Sequence, residues 1–233
     1  MSASTKESIS NQRHHKGVYD ALVIGGGLVG SAIAFGLRQE VDHVAVLDEG
    51  DVAFRASRGN FGLVWVQSKG MGMPAYGHWT VSSQRLWSVL AEKLEAITGL
   101  EVGLEQKGGL HAVLTEHEYE SRVQFMNKLI EQPGMIQYQW KMLDRKELLD
   151  MVPGIGPEVL GASWTEIDGV ANPLKMLRAL HTAFDVQSVD YLPEHPVADI
   201  HFKNNIFEMG TPHGIVRAKK IVIASGLGNQ LLG

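Results

Sequence analysis

A run of glycines that interrupts an apolar segment near the N-terminus constrains the fold more than any other feature of the sequence. Residues 20–24 form a short, mainly apolar run that ends at three consecutive glycines, 25–27. The next segment, 28–39, has apolar residues at helical spacing, and residues 44–47 are again short and apolar. Short apolar runs are typical of strands buried in a parallel sheet. The pattern therefore predicts a strand, a glycine turn, a helix and a second strand, which together make a βαβ unit.

The glycines match the motif G-x-G-x-x-G, with Gly25, Gly27 and Gly30 at its fixed positions. The first glycine permits a tight turn, the second lets the backbone approach a pyrophosphate, and the third lets the helix pack against the strand. Phosphates would lie at the helix N-terminus, where free amides and the helix dipole favour anions. Asp48, at the end of the second strand, can accept hydrogen bonds from ribose hydroxyls, and Glu49 is a second candidate. The pattern predicts a dinucleotide site, and its acid disfavours NADP but leaves NAD and FAD open.

Two later segments contain residues suited to the same ligand. Ser57 and Arg58 follow the second strand, where an extended dinucleotide would pass, and they offer a hydroxyl and a positive charge to its phosphates. Residues 221–226 form an apolar run that ends in small residues, which would let backbone amides contact a cofactor. By local composition, a surface loop explains the first segment equally well, and an ordinary core strand explains the second better.

Composition excludes several other classes of protein. The 233 residues are 44% hydrophobic and 20% charged, which excludes disorder throughout the chain. The formal net charge of −5 argues against nucleic-acid binding. Cysteine is absent, so disulfides, thiolate metal sites and iron–sulfur ligation are impossible within this sequence. The ten histidines show no metal-ligand spacing, so we predict no metal site.

One uncharged segment, 21–37, follows a basic stretch and resembles the apolar part of a signal peptide. It falls short of the ~18 residues usual for a membrane span and contains several glycines. We therefore predict no transmembrane segment and a cytoplasmic location, either free or peripheral at the inner membrane face. Residues 1–17 are polar, and we predict a mobile tail there.

Between the first βαβ unit and the last strands the pattern is mixed. Helices are predicted from Pro74 to about Ile97 with Gly99 as the C-terminal cap, from Thr115 with Glu118 as a capping box, from Asp144 with Glu147, and from Asn172 and Pro173. Strands are predicted at 110–114, 197–202, 206–209, 215–217 and 221–224. This order indicates a nucleotide-binding domain that is interrupted by an insertion.

The ordered set of motifs resembles the FAD-dependent D-amino-acid oxidase family, which includes glycine oxidase, sarcosine oxidase and related amino-acid dehydrogenases. The matching stretches are 23–27 with 30–32, 46–50, 56–60, 168–173, 196–197 and 221–226. The stretch Asp-Gly-Val-Ala-Asn-Pro at 168–173 is the most family-specific. The Arg-Gly-Asn variant at 58–60 is similar to bacterial enzymes that act on glycine, hydroxyproline or opine-type substrates.

The resemblance implies an α/β fold with a Rossmann-like FAD-binding domain of the glutathione-reductase type, interrupted by a partial α+β substrate domain. The implied FAD-binding parts are 18–75 and 168–233, and the partial substrate domain is 76–167. The implied cofactor is FAD. The implied cofactor-binding residues are Gly25, Gly26, Gly27, Leu28, Val29, Gly30, Asp48, Glu49, Ala56, Ser57, Arg58, Asn60, Val197, Ala224, Ser225 and Gly226. No catalytic residue is assigned.

The resemblance also implies a reaction. A hydride leaves the α-carbon of a small amino or imino acid for flavin N5, and the imine product is then hydrolysed by water. In this family a further C-terminal segment completes the substrate domain, so we expect either a missing C-terminal segment or a partner subunit. Two alternatives stay open, namely an NAD-dependent dehydrogenase and a non-catalytic cofactor-binding fragment or subunit that needs a partner chain.

Overall fold

The computed structural model describes residues 17–50 and 56–232. The predicted tail at 1–17 lies outside these ranges apart from Gly17. The strands are β1 (Ala21–Ile24), β2 (Val44–Leu47), β3 (Leu63–Val64), β4 (Gly109–Val113), β5 (Lys141–Asp144), β6 (Gly161–Thr165), β7 (Gly169–Val170), β8 (Asp190–Leu192), β9 (Asp199–Lys203), β10 (Ile206–Thr211), β11 (Gly214–Ala218) and β12 (Ile221–Ile223). The α-helices are α1 (Leu28–Leu37), α2 (Pro74–Thr98), α3 (Glu116–Glu131), α4 (Arg145–Met151), α5 (Pro173–Gln187) and α6 (Asn229–Leu232).

The chain forms two compact units, each with its own strands and helices. Within the described ranges, the first unit combines residues 17–50 and 56–59 with residues 177–232, and the second comprises 60–176. The sequence places domain boundaries near 75 and 168 instead, and these remain predictions. In both divisions the first part is discontinuous in the sequence and the inserted part is continuous.

A four-stranded parallel sheet in the order β12-β1-β2-β8 organises the first unit. Every residue of β1 and β2 is buried, as the short apolar runs predict for central strands. Helix α1 packs on these two strands and supplies the crossover that parallel pairing requires. The other face of the sheet buries a cluster that includes Leu22, Leu47 and Met209.

The remaining strands of the first unit form a three-stranded antiparallel sheet, β11-β10-β9. The predicted strands at 206–209 and 215–217 lie within β10 and β11, and 197–202 overlaps β9. Val197 precedes β9 and packs with Ile200 against the cluster around Leu22. The meander therefore covers one face of the parallel sheet.

The second unit contains an antiparallel sheet, β4-β6-β5, and a two-stranded ladder of β3 and β7. Helix α2 begins at Pro74 and ends at Thr98, and the next residue, Gly99, adopts the left-handed conformation expected of a helix cap. The N-cap Asp144 of α4 forms a complete capping box with Glu147. At α3 the expected box is only half formed: Thr115 accepts the Glu118 amide at 3.1 Å, but the Glu118 carboxylate accepts the Leu114 amide instead.

None of the helices within the described ranges is long and apolar enough to cross a membrane. Across the same ranges, no group of three or more His, Asp or Glu side chains is arranged to hold a metal ion.

Candidate functional site

Three strands of the parallel sheet end at one edge of the first unit. The Gly25 amide, just after β1, donates to the Leu47 carbonyl at 2.7 Å. The Ala224 amide, just after β12, donates to the Ile24 carbonyl at 2.8 Å. In open α/β sheets, ligands bind in the crevice beyond the carboxyl ends of the strands. The predicted glycine turn and the later 224–226 turn are therefore neighbours at the edge where such a ligand binds.

Two of the motif glycines are required by packing inside the protein. Gly25 has φ +110°, a backbone conformation that other residues rarely adopt, and an added Cβ would lie 2.5 Å from the Ala224 carbonyl oxygen. A Cβ on Gly30 would lie 1.9 Å from the Gly25 carbonyl oxygen. Helix α1 can therefore approach the end of β1 only if both positions lack a side chain.

Gly27, the remaining fixed glycine of the motif, is the N-cap of α1 and supplies no side-chain cap. The Ser57 side chain caps one of the free amides of the helix instead, because the Leu28 amide donates to the Ser57 hydroxyl at 2.9 Å. A Cβ on Gly27 would lie 2.7 Å from the same hydroxyl oxygen. The structure thus brings together the first and second predicted motifs at the N-terminus of a helix, where amides and the dipole attract anions.

The Asp48 carboxylate lies beside this turn at the end of β2. Its Oδ2 accepts the Gly26 amide at 2.6 Å, and its Oδ1 accepts the Gly50 amide at 2.9 Å. Asp48 is only partly buried, and each carboxylate oxygen has two acceptor sites. The carboxylate is therefore fixed by the backbone and keeps acceptor capacity for hydroxyl groups of a ligand.

The other predicted residues occupy different settings. Glu49, Ala56, Arg58 and Asn60 are exposed, and Asn60 belongs to the second unit, where its side chain accepts the Gly62 amide at 2.8 Å. Helix α1 carries Leu28, partly buried, and Val29, which is 67% exposed. After β12, both the amide and the hydroxyl of Ser225 donate to the Asn229 side chain, at 2.9 and 2.7 Å, and Gly226 begins a short 3₁₀ helix.

His181, on α5, belongs to the same cluster and was not predicted. Its Nε2 lies 3.0 Å from the Gly26 carbonyl oxygen and 3.1 Å from the Ser31 hydroxyl. Burial lowers the pKa of His181, which favours the neutral imidazole. No local signal in the sequence could identify this residue, because it lies on a helix far from the glycines in the chain.

A buried polar network that the sequence did not predict lies in the second unit. Asp168 is fully buried; its Oδ1 accepts the Val66 amide at 2.6 Å and its Oδ2 accepts the Gln67 side-chain amide at 2.9 Å. The Gln67 Oε1 in turn accepts the Ser163 hydroxyl at 2.6 Å and Arg122 Nη2 at 3.2 Å. Gln67 therefore bridges a buried carboxylate and a buried guanidinium.

The Arg122 guanidinium completes this network. Its Nε donates to Ser163 at 2.8 Å and its Nη1 donates to Ser68 at 2.9 Å. Burial lowers the pKa of Arg122 and raises that of Asp168; hydrogen bonds from Val66 and Gln67 and the charge of Arg122 oppose the rise at Asp168. The network fixes the side chain of Asp168, the first residue of the Asp-Gly-Val-Ala-Asn-Pro stretch.

The second unit also holds an aromatic cavity of about 270 Å³ between α2 and the β3 segment, and no charged side chain lines it. Trp65, Trp79, Trp87 and Tyr76 form much of its wall. Gln84, also in the wall, donates its side-chain amide to the Ile167 carbonyl. Such a cavity suits an uncharged or aromatic group of a small molecule.

A parallel sheet with a glycine turn at its carboxyl edge and an acid after the second strand defines the class of dinucleotide-binding α/β proteins. The sequence matches the family described as "DAO: FAD dependent oxidoreductase" over residues 20–233. The chain belongs to this family, which confirms the resemblance, the α/β fold class and FAD as the cofactor of the family.

The chain is 40% identical over 213 residues to the B subunit of the opine oxidase of Agrobacterium tumefaciens (strain Ach5), covering 91% of this chain and 57% of that protein. It is 26% identical over 209 residues to glycine oxidase of Bacillus subtilis (strain 168), covering 90% of this chain and 54% of that protein. The crystal structure of glycine oxidase from Geobacillus kaustophilus superposes with a TM-score of 0.80 at 27% identity, covering 89% of this chain and 55% of that chain. The chain thus spans little more than half the length of these relatives.

Proposed function

We propose that this protein carries the FAD-binding part of an oxidoreductase that oxidises the C–N bond of a small amino or imino acid. The observation that carries the proposal is the meeting of the glycine turn, the Asp48 carboxylate and the Ser57 hydroxyl at the carboxyl edge of the parallel sheet. The motif in the sequence left NAD open, and membership in an FAD-dependent family favours FAD.

The residues present fit this cofactor. The turn at 25–30 and the start of α1 would hold the pyrophosphate, because their backbone is packed too closely for side chains and the helix end favours anions. Asp48 would hold the adenosine ribose through its remaining acceptor sites. Ser57 and Arg58 would lie along the phosphates, and the backbone of Val197 would contact the adenine.

In this reaction the protein would bind and orient the cofactor and the substrate. Bound FAD would supply the hydride acceptor, N5 of the flavin, for oxidation of the substrate's C–N bond. The imine that results is hydrolysed by water, so no nucleophilic side chain is required. The residues of this chain would hold the cofactor rigidly.

Similarity to relatives narrows the range of candidate substrates. Glycine oxidase and the B subunit of opine oxidase both have names that specify an amino acid or an opine. Because the identity to the opine oxidase protein is 40%, against 26% for glycine oxidase of B. subtilis, an opine-type substrate is favoured. We propose a cytoplasmic location, either free or peripheral at the inner membrane face.

A second candidate function is a cofactor-binding subunit that is inactive without a partner chain. The 40%-identical relative favours it, because that protein is named as one subunit of an oxidase. The two candidates share the FAD site and differ in whether this chain reduces its flavin without a partner.

Reconstitution with FAD tests both candidates. We expect the purified chain, mixed with FAD and desalted, to keep a flavin absorption band, and NAD to give no thermal stabilisation. Stabilisation by NAD with no retained flavin would overturn the proposal. Anaerobic addition of glycine, proline, hydroxyproline or an opine should then bleach the flavin band of an active oxidoreductase. A retained flavin that none of these compounds bleaches would support the second candidate.

A further inference from the structure

A buried hydrogen-bond cluster surrounds the carbonyl oxygen of Gly26. The Ser31 hydroxyl donates to this oxygen at 3.0 Å, and the His181 Nε2 lies 3.0 Å from it and 3.1 Å from the Ser31 oxygen. A carbonyl oxygen only accepts, so the ring nitrogen that faces it must carry a hydrogen. His181 is therefore present with Nε2 protonated, and it donates to Gly26.

Neighbouring rings hold the imidazole in this orientation. The ring centroid of His181 lies 4.6 Å from that of Tyr191 on β8 and 5.5 Å from that of Phe184 on α5. The charged groups that act on the ring are Asp48 and Arg58 from the neighbouring loops and Asp185 from its own helix. The donor is thus preorganised before any ligand arrives.

The geometry of the peptide bond connects this contact to the ligand site. In a trans peptide the carbonyl of one residue and the amide of the next point in opposite directions, and the described residues contain no cis bond. The Gly26 carbonyl points inward to Ser31 and His181, so the Gly27 amide points the opposite way. The preceding peptide is fixed as well, because Asp48 accepts the Gly26 amide at 2.6 Å.

Gly27 occupies the motif position at which the backbone approaches a pyrophosphate. We propose that His181 is a positioning residue for the cofactor: its Nε2 hydrogen holds the Gly26 carbonyl inward and so directs the Gly27 amide at the FAD pyrophosphate. This inference rests on the proposed function and assigns a role to a residue that lies outside all of the sequence motifs.

The test compares two substitutions at one position. His181→Gln keeps an N–H that can reach the Gly26 oxygen, whereas His181→Leu fills the space without one. We expect the dissociation constant for FAD, measured by quenching of flavin fluorescence, to rise roughly tenfold in the leucine variant, as expected for a lost buried partner. The glutamine variant should stay within about threefold of the wild type, and melting of the two apoproteins by circular dichroism should be similar.

The exposed His201 on β9 provides a matched control, since His201→Leu should leave FAD affinity unchanged. If the leucine variant does not fold, His181→Asn replaces it, because its shorter side chain cannot reach the Gly26 oxygen and should show the same loss. Equal affinities of the wild type, glutamine and leucine variants, or equal losses in the latter two, would overturn the inference. A wild-type chain that binds no FAD would instead overturn the proposed function.

Discussion

An aspartate anchors a loop in each unit by accepting a backbone amide at 2.6 Å, yet the two aspartates differ in what else they touch. Asp48 accepts a second backbone amide and stays partly exposed. Asp168 is fully buried and faces the Gln67 side chain, which links it to Arg122. The first carboxylate keeps acceptor sites for a ligand, and the second uses its sites inside the protein. The two residues are of the same type, so it is the difference in burial that leaves the Asp48 carboxylate able to bind a ligand and gives the Asp168 carboxylate a structural role.

The largest expected effect is the loss of the buried carboxylate. Asp168→Ala leaves the buried Val66 amide without its acceptor and removes the negative charge that acts on the buried Arg122, and we expect the free energy of unfolding to fall by about 3–5 kcal/mol. Tryptophan fluorescence during urea unfolding reports this specifically, because all five tryptophans lie within 60–176. Asp48→Ala is the control and should cost about 1 kcal/mol or less. Equal losses of unfolding free energy in the two variants would contradict the distinction between the two aspartates.

A second, smaller effect separates packing from ligand binding in the glycine turn. Gly30→Ala places a Cβ 1.9 Å from the Gly25 carbonyl oxygen, so we expect it to destabilise the protein by about 1–3 kcal/mol and to weaken FAD binding. Gly36→Ala, in the same helix, meets nothing within 4 Å and should stabilise it by about 0.5–1 kcal/mol. Thermal melts by circular dichroism measure both. A neutral Gly30→Ala would contradict the close approach of α1 to β1.

The role of Asp48 in binding can be separated from its role in the loop. Asp48→Asn keeps the shape of the side chain but removes its charge and replaces one of the two oxygens that accept the Gly26 and Gly50 amides with a donor. We expect FAD affinity to fall roughly ten- to a hundredfold, whereas the free energy of unfolding should fall by only about 1 kcal/mol. Glu49→Gln is the control and should change affinity less than about twofold. Flavin fluorescence titration measures both. A larger loss of FAD affinity in Glu49→Gln than in Asp48→Asn would indicate that Glu49, and not Asp48, contacts the ribose.

The smallest effect is a pH dependence in the glycine-turn cluster. Burial lowers the pKa of His181 below its ordinary value of 6.5, and the charges of Asp48, Arg58 and Asp185 modify this shift. The unfolded chain therefore binds a proton that the folded chain does not, and stability present above pH 6.5 is lost as the pH falls through the lowered pKa. His181→Gln should remove this component when urea unfolding is compared at about pH 7 and about pH 5. An unchanged difference between the two pH values would show that His181 does not titrate in this way.

Much of the fold follows from local sequence patterns. The buried strands β1 and β2, the helix α1, the cap at Gly99 and the capping box at Asp144 each depend on residues close together in the chain. Strand β8 was not predicted, because it has three residues and is defined by pairing with the distant β2. Strand β6 was missed because its buried residues include the polar Ser163 and Thr165, so the segment lacks the apolar run that is typical of a buried strand.

The residues of the candidate site also include some that local sequence patterns predict and some that they do not. The glycines, Asp48 and Ser57 lie in motifs whose spacing has a physical reason, and the structure brings them together. His181 and the partners Gln67 and Arg122 come together only through tertiary packing. An isolated histidine, glutamine or arginine gives no signal in the sequence that distinguishes a buried hydrogen-bond partner from a surface residue.

The order of strands in the parallel sheet has a consequence for the growing chain. Strands β1 and β2 are synthesised first, but their outer neighbours, β12 and β8, come from near the other end of the sequence. At roughly 5–20 residues per second, about ten seconds to half a minute pass between the synthesis of β2 and the synthesis of β12. During this interval the two central strands have unpaired edges, which are sites for wrong pairing. A nascent chain of this protein should therefore expose these edges until β8 and β12 emerge.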